Sequence, residues 1–278
     1  MKGIRGRITA ATALGAASVL AAVALPPDRG ARADGSCTGT ACPAVEQPGV
    51  QRPAAERPHT LPALVAARPD VPRTPEAAAA AARAAVRSTP DACGSPYVKD
   101  HGELGPAHLP RVGYFGSLVR GYVRYGGLSP AKFITRYWDE TANPAYWRYP
   151  PDLGFAHSGG WSNGRVLRER ETLPEGSLLD RFGSPYGTFL APAGSAFGAR
   201  ALPPDSLNTK SSDPSHLCNY HLYRVSRAFD VDAGPIAPAF QQRGGGRQYV
   251  LMSAYLPGAP STLNVTWLVA NGYLSVVY

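Results

Sequence analysis

Two arginines, a glutamine and a group of aromatics spaced by glycines are the residues of this chain best suited to hold a charged, ring-bearing ligand. From Asp180 to Pro204 the sequence reads DRFGSPYGTFLAPAGSAFGARALPP, with four glycines and four prolines. That spacing is too broken for a helix. Arg181 and Arg200 each present a planar fork of donors that fits a phosphate or a carboxylate. Phe182, Tyr186 and Phe189 lie between them as surfaces for a flat ring, and the glycines let backbone come close to a ligand. Glycine and proline also punctuate ordinary hairpins, so on residue chemistry alone a ligand site and a plain turn both stay open.

A second stretch, AGPIAPAFQQRGGGRQYV, runs from Ala233 to Val250. Gly244-Gly245-Gly246 lacks the lysine and hydroxyl of a phosphate-cradling loop and the strand–helix setting of a dinucleotide fingerprint. It reads as a flexible turn. Gln248 stands where that turn becomes a strand, and an amide that both donates and accepts can position a water or a ribose hydroxyl. Other catalytic classes fit worse. No GxSxG elbow occurs, and no serine has an evident histidine and acid partner. Asp230 and Asp232 share a strand face, as a carboxylate pair would, but read as a solvated edge. His221, in NYHLYRV, is either a base or a satisfied core histidine, with the core reading preferred. His157 and Trp161 fall in WRYPPDLGFAHSGGWSNGR, a segment read first as irregular cover over a sheet.

The elements that must position these residues follow an export leader. MKGIRGR and the apolar run Ile8 to Leu25 have the pattern of a secretory signal, with small-residue cleavage sites at Ala22-Val23-Ala24 and Ala31-Arg32-Ala33. The expected location is therefore secreted, without membrane attachment once residues 1–33 are removed. That removal takes away five cations and one acid and lowers the formal charge from +8 to +4. Such a mild excess suits anionic small molecules, and without basic blocks no nucleic-acid partner is expected. Cys37, Cys42, Cys93 and Cys218 allow three pairings of two disulfides. Cys37 with Cys42 and Cys93 with Cys218 is preferred. No metal site is expected, because neither cysteines nor histidines show ligand spacing on a common element.

Residues 34–90 are rich in proline, alanine and arginine and read as a mostly disordered leader, with a transient helix over Glu76 to Val86. RVGYFGSLVRGYVRYGG predicts a helix burying Val112, Phe115, Val119, Tyr122 and Val123. Ser129-Pro130 starts a second helix that buries Phe133, Ile134 and Tyr137. From Val166 onward VLRERE, SLLDRF, GTFLA, NYHLYRV, FDVDA, QYVLM, NVTWLVA and YLSVVY read as strands, with Asn271-Gly272 as a tight hairpin between the last two. The fold class is α+β, a compact and mainly antiparallel sheet preceded by a small helical subdomain.

In order, DRFGSPYGTFL, ARALPPDSLN, YHLYRV and AGPIAPAFQQRGGGRQY resemble the necrotising-toxin (TNT) family of NAD glycohydrolases over roughly residues 147–278. The preceding helical part resembles the extension of stand-alone secreted members. The division implied is a signal peptide (1–33), a leader (34–90), a helical subdomain (91–146) and a TNT-like domain (147–278). The resemblance implies hydrolysis of the bond between nicotinamide and ribose, with NAD or NADP as substrate and no cofactor. It assigns the pyrophosphate to Arg200, hydrolysis to Gln248, the nicotinamide end to Phe189 and support of the same pocket to Arg181. His221 falls near a family histidine, and Tyr186 completes the expected substrate-binding set. Residues Asn208 to Cys218 look like an insertion, a disulfide-tethered loop at the site rim. Toxin members of the family have an immunity protein as partner; a stand-alone exported enzyme gives such a partner less to protect. An ADP-ribosyl transferase or cyclase on the same scaffold commonly relies on a glutamate, and none occurs from Asp180 to Tyr249. A non-catalytic binding protein would not need both Arg200 and Gln248.

Overall fold

The structure, a computed structural model, describes residues 74–89, 91–160 and 162–278. The expected signal and the Cys37–Cys42 ring lie outside these residues, as does Trp161. The first element is helix α1 (Pro75–Ser88), which Thr74 caps by accepting from the Ala77 N–H at 3.2 Å. Ala78, Ala79, Ala82 and Ala85 are buried on one face. Alanine has the highest helix propensity, and its small side chain lets the backbone approach a neighbour closely. Within the expected leader, residues 34–73 lie outside the described residues. Residues 75–88 form a packed and not a transient helix, with an Arg224–Glu76 ion pair of 2.5 Å at its start.

Helix α2 (Gly113–Leu118) is shorter than its apolar spacing predicts. Phe115 and Val119 are buried, whereas Val112 and Val123 are exposed. Glycines at positive φ, Gly121 and Gly126 among them, break the helical path. At Gly126 a Cβ would also strike the backbone of Gln241, so the chain crosses another segment there. Helix α3 (Pro130–Tyr137) forms as expected, with Ser129 accepting from the Lys132 N–H and Phe133 fully buried. A short antiparallel pair, β1 (Trp138–Asp139) and β2 (Tyr146–Trp147), follows.

Seven further strands make one antiparallel sheet: β3 (Glu169–Leu173), β4 (Leu178–Phe182), β5 (Phe189–Pro192), β6 (Tyr220–Val225), β7 (Phe229–Pro235), β8 (Arg247–Val250) and β9 (Leu274–Val276). Their order across the sheet is β3-β7-β8-β5-β4-β6-β9. Strand β5 is the seam. Phe189 and Leu190 pair with β8, while Ala191 and Pro192 pair with β4. The alternation of side chains sends neighbours to opposite faces. Phe182, Tyr220 and Leu222 join α1 and α2 in one core, while Leu179, Tyr223 and Val225 join another beneath the C-terminal segment. A third core gathers Phe133, Trp147, Ile236 and Phe240. The antiparallel α+β class is thus the observed one, with α1 and α2 packed against the sheet and α3 against the short β1–β2 pair.

One expected strand is a helix. NVTWLVA forms α4 (Val265–Ala270), whose N-terminus Asn264 caps by accepting from the Trp267 N–H at 2.9 Å. Val265 and Leu268, three apart, bury its inner side. Asn271-Gly272 is accordingly not a hairpin turn but the end of this helix, with Gly272 at φ 71° where a left-handed residue stops it. Cys93 and Cys218 are joined, as the preferred pairing predicts. Among the described residues no helix is long and apolar enough to cross a membrane.

Candidate active site

Three adjacent strands, β8, β5 and β4, contribute Gln248, Phe189 and Arg181, and the turn after β5 contributes Arg200. These four side chains line one cavity of about 550 Å³, within the size range of small-molecule sites.

Arg181 is wedged at the cavity wall. It donates from Nε to the Gly183 carbonyl at 3.2 Å and from Nη1 to the Phe189 carbonyl at 2.9 Å. Gly187 makes room for it, because a Cβ there would overlap the guanidinium. Burial pulls the Arg181 pKa down to about 10, which leaves the group charged at neutral pH. Arg200 is buried against Asp180 at 2.5 Å and also donates to the Ser195 carbonyl, with its guanidinium over the Phe182 ring. Asp180 is fully buried and further accepts from the Gly194 N–H and the Tyr220 hydroxyl, at 2.8 and 2.9 Å. Burial pushes its carboxyl up, against Arg200 and these two donors, which stabilise the charge.

Gln248 is buried and donates to the Leu153 carbonyl at 3.0 Å, so its own carbonyl oxygen is the group left to accept. Leu153 belongs to a turn, Asp152–Gly154, that is fixed to the end of β7. The Ala237 N–H donates to Gly154, the Ala156 N–H donates to Pro235, and His157 Nε2 lies 3.1 Å from Asp152. The segment around His157 is therefore a cover over the sheet that presents a carbonyl to the site. It comes this close because Gly234, opposite Gln248 on β7, lacks a Cβ that would strike the Leu167 carbonyl.

The glycine triplet is not loose. The Gly246 N–H donates to Ala199, next to Arg200, and the Gly246 carbonyl accepts from Ile236. A Cβ at Gly244 or Gly246 would collide with the carbonyls of Ile236, Ala237 or Ala199. The triplet thus holds the Arg200 turn against the strand that carries Gln248. Tyr149, Leu153 and Phe189 are exposed apolar groups at the cavity wall.

The family model described as tuberculosis necrotizing toxin matches residues 172–277. The conidial surface nicotinamide adenine dinucleotide glycohydrolase of Aspergillus fumigatus is 39% identical over 194 residues, covering 68% of this chain and 76% of that protein. This chain belongs to the tuberculosis necrotizing toxin family. A solved structure of tuberculosis necrotizing toxin complexed with its immunity factor is 20% identical, covers 57% of this chain and 79% of that one, and superposes with a TM-score of 0.41.

Two expected substrate-binding residues of this family member do not line the cavity. Tyr186 is 72% exposed at the tip of the turn that Arg181 braces. His221 is buried and stacks on His216 at 4.3 Å between ring centroids. Burial, then the neighbouring His216 and Arg181, pulls the His221 pKa down to about 3. That makes it neutral, and its strand neighbour across the ladder, Arg181, is the group that reaches the cavity. Asp230 and Asp232 are held by Arg170 and Arg168, outside the cavity. Asp180, Tyr149 and Leu153 line the cavity without having been singled out. For Asp180 the only sequence signal is its place beside Arg181.

Proposed function

We propose that this protein is an extracellular NAD glycohydrolase that releases nicotinamide and ADP-ribose. The observation that supports the reading best is the convergence of Arg181, Arg200, Phe189 and Gln248 on one cavity, in a relative of a named NAD glycohydrolase. Nicotinamide leaves as a neutral ring, so little acid help is needed, while the ribose develops oxocarbenium character. The two arginines meet the diphosphate with fixed charges, and Phe189 offers a face to the nicotinamide ring. The Gln248 oxygen accepts from a ribose hydroxyl or from the attacking water. Holding these groups in place supplies orientation and preorganised electrostatics.

Hydrolysis fits the site better than transfer to a side chain. Among the described residues Asp180 is the one carboxylate in the cavity lining, and it is committed to Arg200, Gly194 and Tyr220. That leaves no described lining carboxylate to activate a competing nucleophile. The Cys93–Cys218 disulfide supports work in an oxidising, extracellular setting. The test is nicotinamide release from NAD by the oxidised protein, with Gln248→Ala beside it. A fall of roughly 100-fold or more is expected in the variant, with free ADP-ribose as the other product of the parent. A folded parent that releases no nicotinamide would overturn the proposal.

A further inference from the structure

Away from the cavity, an insertion loop and a core strand bring together three side chains of metal-ligand type. We propose that Asp213, His216 and His221 form a binding site for a divalent transition-metal ion of the zinc class. One ligand atom from each lies within 4.8 Å of the other two. An ion bound at zinc–nitrogen and zinc–oxygen distances needs such atoms roughly 3.3 to 3.5 Å apart, so a small closing movement completes the set. Asp213 and His216 Nδ1 share hydrogen bonds of 2.8 Å, which an ion would displace together with the Nδ1 proton. The two imidazoles are stacked with 30° between their planes, so binding also turns the His216 ring to aim its nitrogen at the ion.

The ligands are held in advance. His221 is fixed in β6. The loop is anchored by the disulfide at Cys218, by the Cys218 N–H donating to Thr209 Oγ1 and by the Leu217 N–H donating to the Tyr278 hydroxyl. That hydroxyl in turn donates to the Ser215 carbonyl, and the His216 ring packs edge-on against Tyr278 at 5.3 Å. Ser215 Oγ donates to Asp213 Oδ1 at 2.9 Å, the outer-shell hydrogen bond that orients a ligating carboxylate. Among the described residues the polar partner of the His221 ring is Asn219, at 3.3 Å from Nε2, which leaves the other ring nitrogen without one. The Asp213 side chain is 40% exposed, so an ion can enter and water can fill a remaining position.

The ligands select the class of ion. Arg83 and Arg87 border the same surface as His216, and Lys210 lies near enough to act on His221. Those cations repel any dication alike, so the ligand types make the selection: calcium or magnesium needs several oxygen ligands, and this set offers one carboxylate. Two imidazoles and one carboxylate suit zinc and its neighbours, whose coordination bonds to nitrogen are strong. The sequence hid this set because His216 and Asp213 sit on a loop and His221 on a strand. The inference does not depend on the glycohydrolase reading.

The test uses the full, disulfide-bonded chain without an affinity tag, freed of metal by a chelator. Zinc binding is measured by calorimetry, and cobalt binding by its visible absorption. One ion per chain is expected, with His216→Ala and Asp213→Asn each weakening binding by about tenfold or more and His221→Ala abolishing it. The two loop variants decide the matter should His221→Ala fail to fold. No saturable binding, or affinity unchanged in both loop variants, would overturn the proposal, the latter by placing the ion at another histidine such as His101 or His108.

Discussion

Asp180 determines whether Arg200 can stand charged inside the molecule. The pair is almost wholly buried, and the carboxylate takes hydrogen bonds from Arg200, Gly194 and Tyr220. Asp180→Asn leaves the guanidinium buried without its counter-charge, and breaking one half of such a pair costs about 3 to 5 kcal/mol. Tyr220→Phe removes the hydroxyl's hydrogen bonds with Asp180 and Tyr114 but no charge, and costs about 2 kcal/mol. Urea unfolding of both variants checks the contrast; equal losses would mean that the carboxylate charge is not what matters. A second carboxyl gives a pH signature. Burial pushes Asp205 from the ordinary 3.8 up to about 6, with the Trp147 N–H partly opposing. A pKa raised on folding stabilises the native state below pH 4, and that contribution is lost as pH rises through 6. Asp205→Asn keeps an acceptor for Trp147 and mimics the protonated acid. It should match the parent near pH 4 and exceed it by up to about 3 kcal/mol above pH 6. A stability difference that does not change with pH would count against it. At this scale the arginines and Gln248 were legible as candidates, since forked donors and an amide stand out among glycines and prolines, and they line one cavity. Asp180 was not, since its partner returns from 20 residues away and adjacent strand residues face opposite ways.

Among the elements, the seam β5 and the glycine triplet set the site. They join Arg200 to Ala199, Gly246 and Gln248 through backbone hydrogen bonds and close carbonyl contacts. Gly246→Ala drives a Cβ into the Ala199 carbonyl, whereas at Gly245 a Cβ meets nothing within 4 Å. Gly245 sits at φ 77°, so its substitution costs only the left-handed backbone penalty, about 1 to 2 kcal/mol. Nicotinamide release should therefore fall much further in Gly246→Ala than in Gly245→Ala at equal folded fraction. Equal activities would show that the triplet is only a linker. Gly187→Ala, which displaces Arg181, should raise KM for NAD more than it lowers kcat, since Arg181 is read as a ground-state anchor. The strands were legible from their β-branched and aromatic content. The sequence misled at α4 for the same reason: Val265, Thr266, Trp267 and Val269 are strand formers, and the Asn264 cap with burial of Val265 and Leu268 overrides them. It misled again at α1, where alanines that look unable to build a core suffice to pack a helix closely.

For the whole molecule, the Cys93–Cys218 bond closes a loop of 125 residues that contains the cavity-lining strands β4 and β5 and the Arg200 turn. Cross-linking a loop of that length stabilises by about 4 to 5 kcal/mol through the unfolded chain. A domain of this kind has about 5 to 15 kcal/mol in all, so the bond supplies a large share. Cys93 and Cys218 are both fully buried, which slows reduction of the folded form. The protein should therefore resist mild reductant while folded but fail to refold in its presence. Refolding from urea with and without a thiol, followed by nicotinamide release, separates the two states. Recovery of activity that is equal under both conditions would sever the link between oxidation and function. Lower recovery in the presence of thiol would mean that folding to the active enzyme depends on the Cys93–Cys218 bond and is disfavoured in a reducing setting.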